Sequence, residues 1–99
     1  MTNATLQELK TKTTPVFRRY GVLRAGVFGS YARGEAKKSS DIDFLIKYPR
    51  GITLFGIGGL KIDLEKTIGK EVDLAQEGYI KDRIKSYVEK DLVQIYEKR

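Results

Sequence analysis

The chain has 99 residues, of which 40 % are hydrophobic and 32 % are charged, and its formal net charge at pH 7 is +6. This length allows a single domain, and the apolar fraction is sufficient for a folded core. The sequence contains neither cysteine nor histidine, which excludes disulfide bonds, thiolate zinc sites, imidazole ligands and Ser-His catalytic triads. Any catalysis must therefore use carboxylates, cations, hydroxyls and backbone dipoles, and the positive charge favours an anionic partner.

No stretch approaches the roughly 18 apolar residues of a membrane span, and residues 1–5 carry no basic patch before an apolar segment. We therefore expect one domain over residues 1–99, a cytoplasmic location and no membrane partner. Cations are also scattered near the C-terminus, where a solvated helix surface is a more common explanation than a binding site; these are Lys81, Arg83, Lys85 and Lys90.

The first half of the chain alternates between helical and strand patterns. Hydrophobic spacing predicts, in chain order, a helix over 5–20, a strand over 22–28, a turn at Gly29-Ser30, a short helix over 31–33, a polar loop over 34–39 and a strand over 41–46. Pro15 lies inside the first helix and predicts either a kink or a break into two short helices around Thr13 and Thr14.

The second half continues the alternation. It predicts a helix over 54–68 that ends at Gly69, a strand over 71–75, a helix over 79–90 and an edge strand over 92–96. Gly56, Gly58 and Gly59 weaken the start of the first of these helices, and close packing against the sheet is one reason for their presence. Helices alternating with strands predict an α/β or α+β fold, in which helices pack on a small mixed β-sheet.

Two aspartates in the second predicted strand are the first candidates for chemistry. Alternate side chains of a strand point to one face about 6.5 Å apart, so Asp41 and Asp43 project together while Ile42, Phe44 and Ile46 face the core. Two neighbouring carboxylates repel each other unless a cation lies between them. Magnesium prefers oxygen ligands of this kind, together with water and substrate phosphates.

The turn before these aspartates suits a phosphate. Gly29 allows close backbone approach, Ser30 supplies a hydroxyl, and a helix start leaves N–H groups that favour a negative group. Arg33 lies one helical turn later, where it can reach a phosphate or brace the loop. Each feature alone is ordinary for a turn or a strand edge, but the joint pattern over residues 29–46 favours a metal-triphosphate site.

This stretch resembles the signature of the DNA polymerase beta-like nucleotidyltransferase superfamily, a Gly-Ser turn followed by an Asp-x-Asp strand. Its fuller form is similar to the minimal branch, which includes MntA-type antitoxins encoded beside HEPN-domain toxins. The positions that match are Gly29, Ser30, Arg33, Gly34, Ala36, Ser40, Asp41, Ile42 and Asp43. The resemblance extends over nearly the whole chain and implies a nucleotidyltransferase fold.

The resemblance also implies the catalytic residues. The family requires a third carboxylate on a later strand, and Asp73 is our assignment, with Glu71 as the competing choice on the same face. Asp41, Asp43 and Asp73 would then hold two Mg²⁺ ions, and Gly29, Ser30 and Arg33 would hold the triphosphate of ATP, although no residue specifies the base. Asp63 and Glu65 lie on a helix of mixed charge and are interpreted as surface residues.

The implied partner is a HEPN-domain toxin, and the implied reaction transfers AMP from ATP to one of its tyrosine hydroxyls. Two alternatives remain open at this point. A binding module would neutralise the partner by occlusion, without chemistry, and an enzyme acting on RNA or a small molecule would use the same residues. Arg18-Arg19-Tyr20 with Lys37-Lys38 forms only a thin basic stripe with one aromatic, so we expect no direct nucleic-acid binding.

Overall fold

The computed structural model describes residues 3–37 and 39–98. Its elements are α1 (Asn3–Arg19), β1 (Arg24–Phe28), α2 (Ser30–Arg33), β2 (Ile42–Lys47), α3 (Leu54–Ile68), β3 (Val72–Gln76), α4 (Asp82–Asp91) and β4 (Val93–Glu97). Every predicted helix and strand is present, with bounds that differ from the prediction by a few residues, and the α+β fold class is confirmed. Lys38, part of the predicted loop and of the predicted basic stripe, lies outside the described residues.

The four strands form one mixed sheet in the order β3-β2-β1-β4. β1 is antiparallel to both β2 and β4, whereas β2 and β3 are parallel. A parallel pair needs a crossover connection, which α3 provides. Because β4 is the last strand in this order, the prediction that it lies at an edge of the sheet is confirmed.

The hydrophobic core lies between one face of the sheet and the helices α1 and α3. Phe17 of α1 is fully buried, and its ring centroid lies 5.8 Å from that of Phe44 and 5.5 Å from that of Tyr96. Ile42 and Ile46 are also buried on this face. The predicted alternation along β2 is thus correct, and it leaves the aspartates of this strand on the opposite face.

Pro15 does not break α1, which runs without interruption from Asn3 to Arg19. Proline at this position leaves the carbonyl of Thr11 without its helical N–H donor. The helix continues because Leu9, Val16 and Phe17, on both sides of the proline, are buried in the same core, while Pro15 itself is exposed. The predicted break into two helices is therefore wrong.

The α3 glycines and acidic residues have other contacts than predicted. A Cβ on Gly59 would lie 3.0 Å from the hydroxyl of Tyr20, so this glycine packs against the end of α1 rather than against the sheet. Asp63 accepts a hydrogen bond from the same hydroxyl, and Glu65 accepts one from the N–H of Val72 at 3.1 Å. Both acidic residues are partly buried, so their interpretation as surface residues is wrong.

The second face of the sheet is covered only thinly. Val88 is the buried residue of α4, whereas Ile84 and Tyr87 on the same helix are 43 % and 69 % exposed. Part of the face that carries the aspartates is therefore accessible to solvent. Within residues 3–37 and 39–98, none of the helices has the length and apolarity needed to cross a membrane.

Candidate active site

The strand register places two of the predicted carboxylates side by side. Asp43 of β2 is the register partner of Asp73 on the parallel strand β3, and on its other side it pairs with Phe28 of β1. Residues paired in this way point to the same face of the sheet, with neighbouring strands about 4.8 Å apart. Asp41 lies two residues before Asp43, immediately before β2 begins, and its charge acts on Asp43 together with that of Asp73.

The electrostatic environment of Asp43 shows which carboxylates act on it. The pKa of Asp43 is raised, first by burial and then by the negative charges of Asp73 and Asp41, while the positive charge of Arg33 lowers it. Glu71 does not contribute to this shift. Geometry and charge therefore favour Asp73 over Glu71 as the third member of the cluster.

Gly29 lies directly against Asp43. A Cβ on Gly29 would come within 2.5 Å of Oδ2 of Asp43, and the φ angle of +76° is one that other residues rarely adopt. Only glycine allows the turn and the carboxylate to approach this closely. The predicted phosphate turn and the predicted aspartate pair are thus parts of one site.

Arg33 does not project freely toward the turn. Its Nη1 donates to Oδ2 of Asp91 at 2.7 Å, and its Nε donates to Oε2 of Glu35 at 3.1 Å. Of the two functions considered for Arg33, bracing the loop is the one the structure displays. α2 itself has only four residues, so its aligned peptide dipoles contribute less to anion binding than a long helix would.

Asp91 is a residue that sequence reasoning missed. It is the last residue of α4, where a carboxylate is unfavourable with respect to the helix dipole, and its side chain is only 11 % exposed. Its contact with Arg33 ties the C-terminal end of α4 to α2 and to the Gly29-Ser30 turn. The sequence shows only an acidic residue at the C-terminal end of a predicted helix, and the partner of Asp91 is 58 positions away.

Lys70 was also missed, and it supports the segment that leads into Asp41. Its ammonium lies 5.4 Å from the ring centroid of Tyr31 and donates to the carbonyls of Lys37 and Ser40 at 3.4 and 3.5 Å. The hydroxyl of Ser40 in turn accepts from the N–H of Lys37 at 2.8 Å. The turn before Asp41 is therefore held by Lys70, which also contacts the ring of Tyr31 in α2, and by the hydroxyl of Ser40.

The donor atoms of the three aspartates are all carboxylate oxygens. In the described part of the chain, no group of three or more acidic side chains is already drawn together so that it could hold a metal. However, a hard cation would relieve the repulsion that raises the pKa of Asp43, and carboxylate oxygens are the donors that Mg²⁺ prefers. The donor chemistry of Asp41, Asp43 and Asp73 therefore fits magnesium.

Comparison with known protein families agrees with this geometry. A family model of the nucleotidyltransferase domain matches residues 9–95, a range that includes the Gly29-Ser30 turn, the strands β1 to β3, the first half of β4 and the three aspartates. The chain belongs to the nucleotidyltransferase domain family. It is an enzyme of the nucleotidyltransferase class.

Two related nucleotidyltransferases cover most of the chain. It is 45 % identical over 83 residues to a candidate protein adenylyltransferase of Methanocaldococcus jannaschii, an alignment that covers 80 % of this chain and 89 % of that protein. It is 35 % identical over 99 residues to the protein adenylyltransferase MntA of Thermococcus cleftensis, which covers 96 % and 100 % respectively.

Solved structures show the same fold. A candidate minimal nucleotidyltransferase superimposes with a TM-score of 0.77 at 34 % identity, over 94 % of this chain and 95 % of that one. The complex of a tri-AMPylated HEPN toxin of Shewanella oneidensis with an MNT antitoxin gives a TM-score of 0.70 at 18 % identity, over 94 % and 73 %. The second similarity is one of fold alone.

Substituting Gly29 should separate backbone strain from the contact with Asp43. Gly51 also has a positive φ, but a Cβ there would meet nothing within 4 Å. We expect Gly51→Ala to lower stability by about 1–2 kcal/mol with activity retained, and Gly29→Ala to lower activity at least tenfold as well. Urea unfolding and nucleotidyl-transfer assays check this, and equal activity of the two variants would contradict it.

Removing the charge of Asp43 should stabilise the metal-free protein. Because the pKa of Asp43 is raised in the folded state, its ionised form is destabilising, and this penalty grows as pH rises from 3.8 through the raised pKa. Asp43→Asn should therefore increase Tm at pH 7 without magnesium, and the gain should vanish below pH 3.8. Glu71→Gln is the matched control on the same face, and an unchanged Tm for Asp43→Asn at pH 7 would contradict the prediction.

Releasing Arg33 from α4 should impair activity more than folding. We expect Asp91→Ala to lower kcat/KM for ATP by roughly ten- to a hundredfold, because small misplacements of a site have effects of this size. Asp82→Ala, at the exposed first position of the same helix, is the control and should change kcat/KM little. Steady-state kinetics beside thermal melts check the prediction, which fails if Asp91→Ala only lowers Tm.

Proposed function

We propose that this nucleotidyltransferase transfers AMP from ATP to a tyrosine hydroxyl of a HEPN-domain toxin and thereby acts as its antitoxin. The observation that carries the proposal is the pairing of Asp43 with Asp73 on adjacent strands, against the Gly29 turn. The relatives support the acceptor class, since they are named as protein adenylyltransferases. The fold neighbour whose complex contains a tri-AMPylated HEPN toxin supports the choice of partner.

Asp41, Asp43 and Asp73 would hold magnesium, two ions in the arrangement that the family implies. When bound, the metal supplies positive charge that stabilises both the entering and the leaving oxygen of the displacement. In the protein alone, burial raises the pKa of Asp43 most, and the negative charges of Asp73 and Asp41 raise it further. A metal-triphosphate complex is therefore a better ligand for this face than a bare triphosphate.

The residues of the chain then position the two reactants. The Gly29-Ser30 turn, which lies against Asp43, receives the triphosphate, and Arg33 holds this turn through Asp91. The acceptor oxygen forms a bond to the α-phosphorus, and the bond from that phosphorus to the β-phosphate oxygen breaks, which releases pyrophosphate. A carboxylate oxygen of Asp73, on the outer strand of the pair, would accept the hydroxyl proton.

The basic stripe that would favour RNA is weaker in the structure than in the sequence. Arg19 pairs with Asp63 at 3.4 Å, and the hydroxyl of Tyr20 donates to the same carboxylate. Two of the stripe's members are therefore engaged in holding α1 to α3. A protein acceptor agrees better with these contacts than RNA does.

The proposal is tested with the full chain, Mg²⁺, α-labelled ATP and the product of the neighbouring gene as the candidate HEPN partner. Asp73→Asn should lower label transfer by about a thousandfold, because a ligand position in such a site contributes several kcal/mol. Glu71→Gln, a substitution of the same kind two residues earlier on the same face, should leave transfer within about threefold. Phosphopeptide mapping should place the AMP group on tyrosine.

Three results would contradict the proposal in different ways. If the wild-type chain binds the partner but transfers no label with any nucleotide, it acts by occlusion. If label appears on RNA added in place of the partner, the acceptor class is wrong. If Glu71→Gln abolishes transfer and Asp73→Asn does not, the third carboxylate is Glu71.

A further inference from the structure

A cavity of about 420 Å³ opens on the second face of the sheet, between β3 and α4. Phe28 in its wall is the register partner of Asp43, and Ala75 follows Asp73 by two residues. Both side chains therefore point to the same face as the carboxylates. The cavity and the candidate active site are continuous parts of one surface.

The lining of the cavity is mainly apolar and partly aromatic. Its apolar and aromatic walls come from the sheet, from the segment after β3 and from α4, and they include Phe28, Ala75, Tyr79, Ile80, Ile84 and Val88. Its volume lies within the usual range of small-molecule sites, roughly 300–1,000 Å³, and sites of that kind combine apolar walls with a few polar groups. The polar residues of the lining are Gln76, Lys81 and Arg83.

We infer that this cavity receives the base and ribose of the nucleotide substrate. Phe28 immediately precedes Gly29, so a nucleotide with its phosphates at the turn and the carboxylates can extend its nucleoside end along the sheet past Phe28 and into the cavity. A base has two flat π-faces, and the exposed ring of Tyr79 (78 % exposed) offers a surface for stacking on one of them. The inference rests on the proposed function for the position of the phosphates only.

A second cavity is a poorer choice for a nucleoside. It measures about 570 Å³, but it lies between α1 and β4, with Lys10, Thr14 and Arg18 in its wall. α1 covers the core face of the sheet, opposite to the face that carries Asp43 and Asp73. A nucleotide bound there could not bring its phosphates to the aspartates.

The test measures binding of two probes, ATP and inorganic tripolyphosphate, to the full chain in the presence of Mg²⁺ by titration calorimetry. Tyr79→Ala should weaken ATP binding by about tenfold, the size of one lost stacking contact, and Ile84→Trp, which fills the cavity, by at least as much. Tripolyphosphate binding should stay within about twofold in both variants, since that probe has no nucleoside.

Matched controls are available on the same molecule. Tyr87 is an exposed tyrosine of α4 that does not line the cavity, and Ile62 is an exposed isoleucine of α3, 53 % accessible. Tyr87→Ala and Ile62→Trp should change neither affinity. Thermal melts of all four variants should show that each of them is folded.

Two results would overturn the inference. One is an ATP affinity that Tyr79→Ala and Ile84→Trp leave unchanged. If these two substitutions raise KM for the acceptor protein instead, the cavity serves the acceptor and not the nucleoside. The other is an equal loss of tripolyphosphate binding. Failure of the proposed function is distinct, since a wild-type chain that binds ATP through Tyr79 and Ile84 but transfers no label would support the cavity assignment and reject the transferase proposal.

Discussion

The site depends on one constraint, which is the parallel pairing of β2 with β3. This pairing sets Asp43 beside Asp73, and it exists only because α3 carries the chain back across the core before β3 begins. The helix is anchored by fully buried Leu60 and Leu64, while Glu65 accepts a hydrogen bond from the first N–H of β3. Packing on one face of the sheet therefore imposes a like-charge contact on the other, and the core stabilises a cluster of carboxylates that would not assemble alone.

This arrangement explains why the two faces of the sheet differ so much. One face is sealed by α1 and α3 with large apolar side chains, whereas the other is covered by one short helix with a single buried residue, Val88. Closer packing of α4 would bury Ile84 and Tyr87 and stabilise the fold, but it would also close the access to Asp43 and Asp73. The thin covering therefore lowers the stability of the fold and leaves this face of the sheet open for binding.

Much of the fold could be predicted because local signals agree with it. The alternation of Ile42, Phe44 and Ile46 with Asp41 and Asp43 indicated both the strand and its two faces, and Gly69 in the left-handed conformation ends α3 as predicted. Pro15 was misleading, because the burial of residues on both sides of it outweighs the loss of one helical hydrogen bond. Local patterns also could not predict the hydrogen-bond and ion-pair partners of four residues, because tertiary packing determines them. These residues are Asp63, Glu65, Lys70 and Asp91.

The central position of β1 has a consequence for synthesis of the protein. β1 forms early in the chain, yet its two neighbours are β2 and β4, and β4 is completed only at Glu97. A nascent chain that has emerged as far as β3 already holds all three aspartates, but one edge of β1 still lacks its hydrogen-bond partners, and Ile95 and Tyr96 are missing from the core. Folding to the finished sheet is therefore deferred until β4 has left the ribosome, so shorter products carry the three aspartates without the framework that positions them.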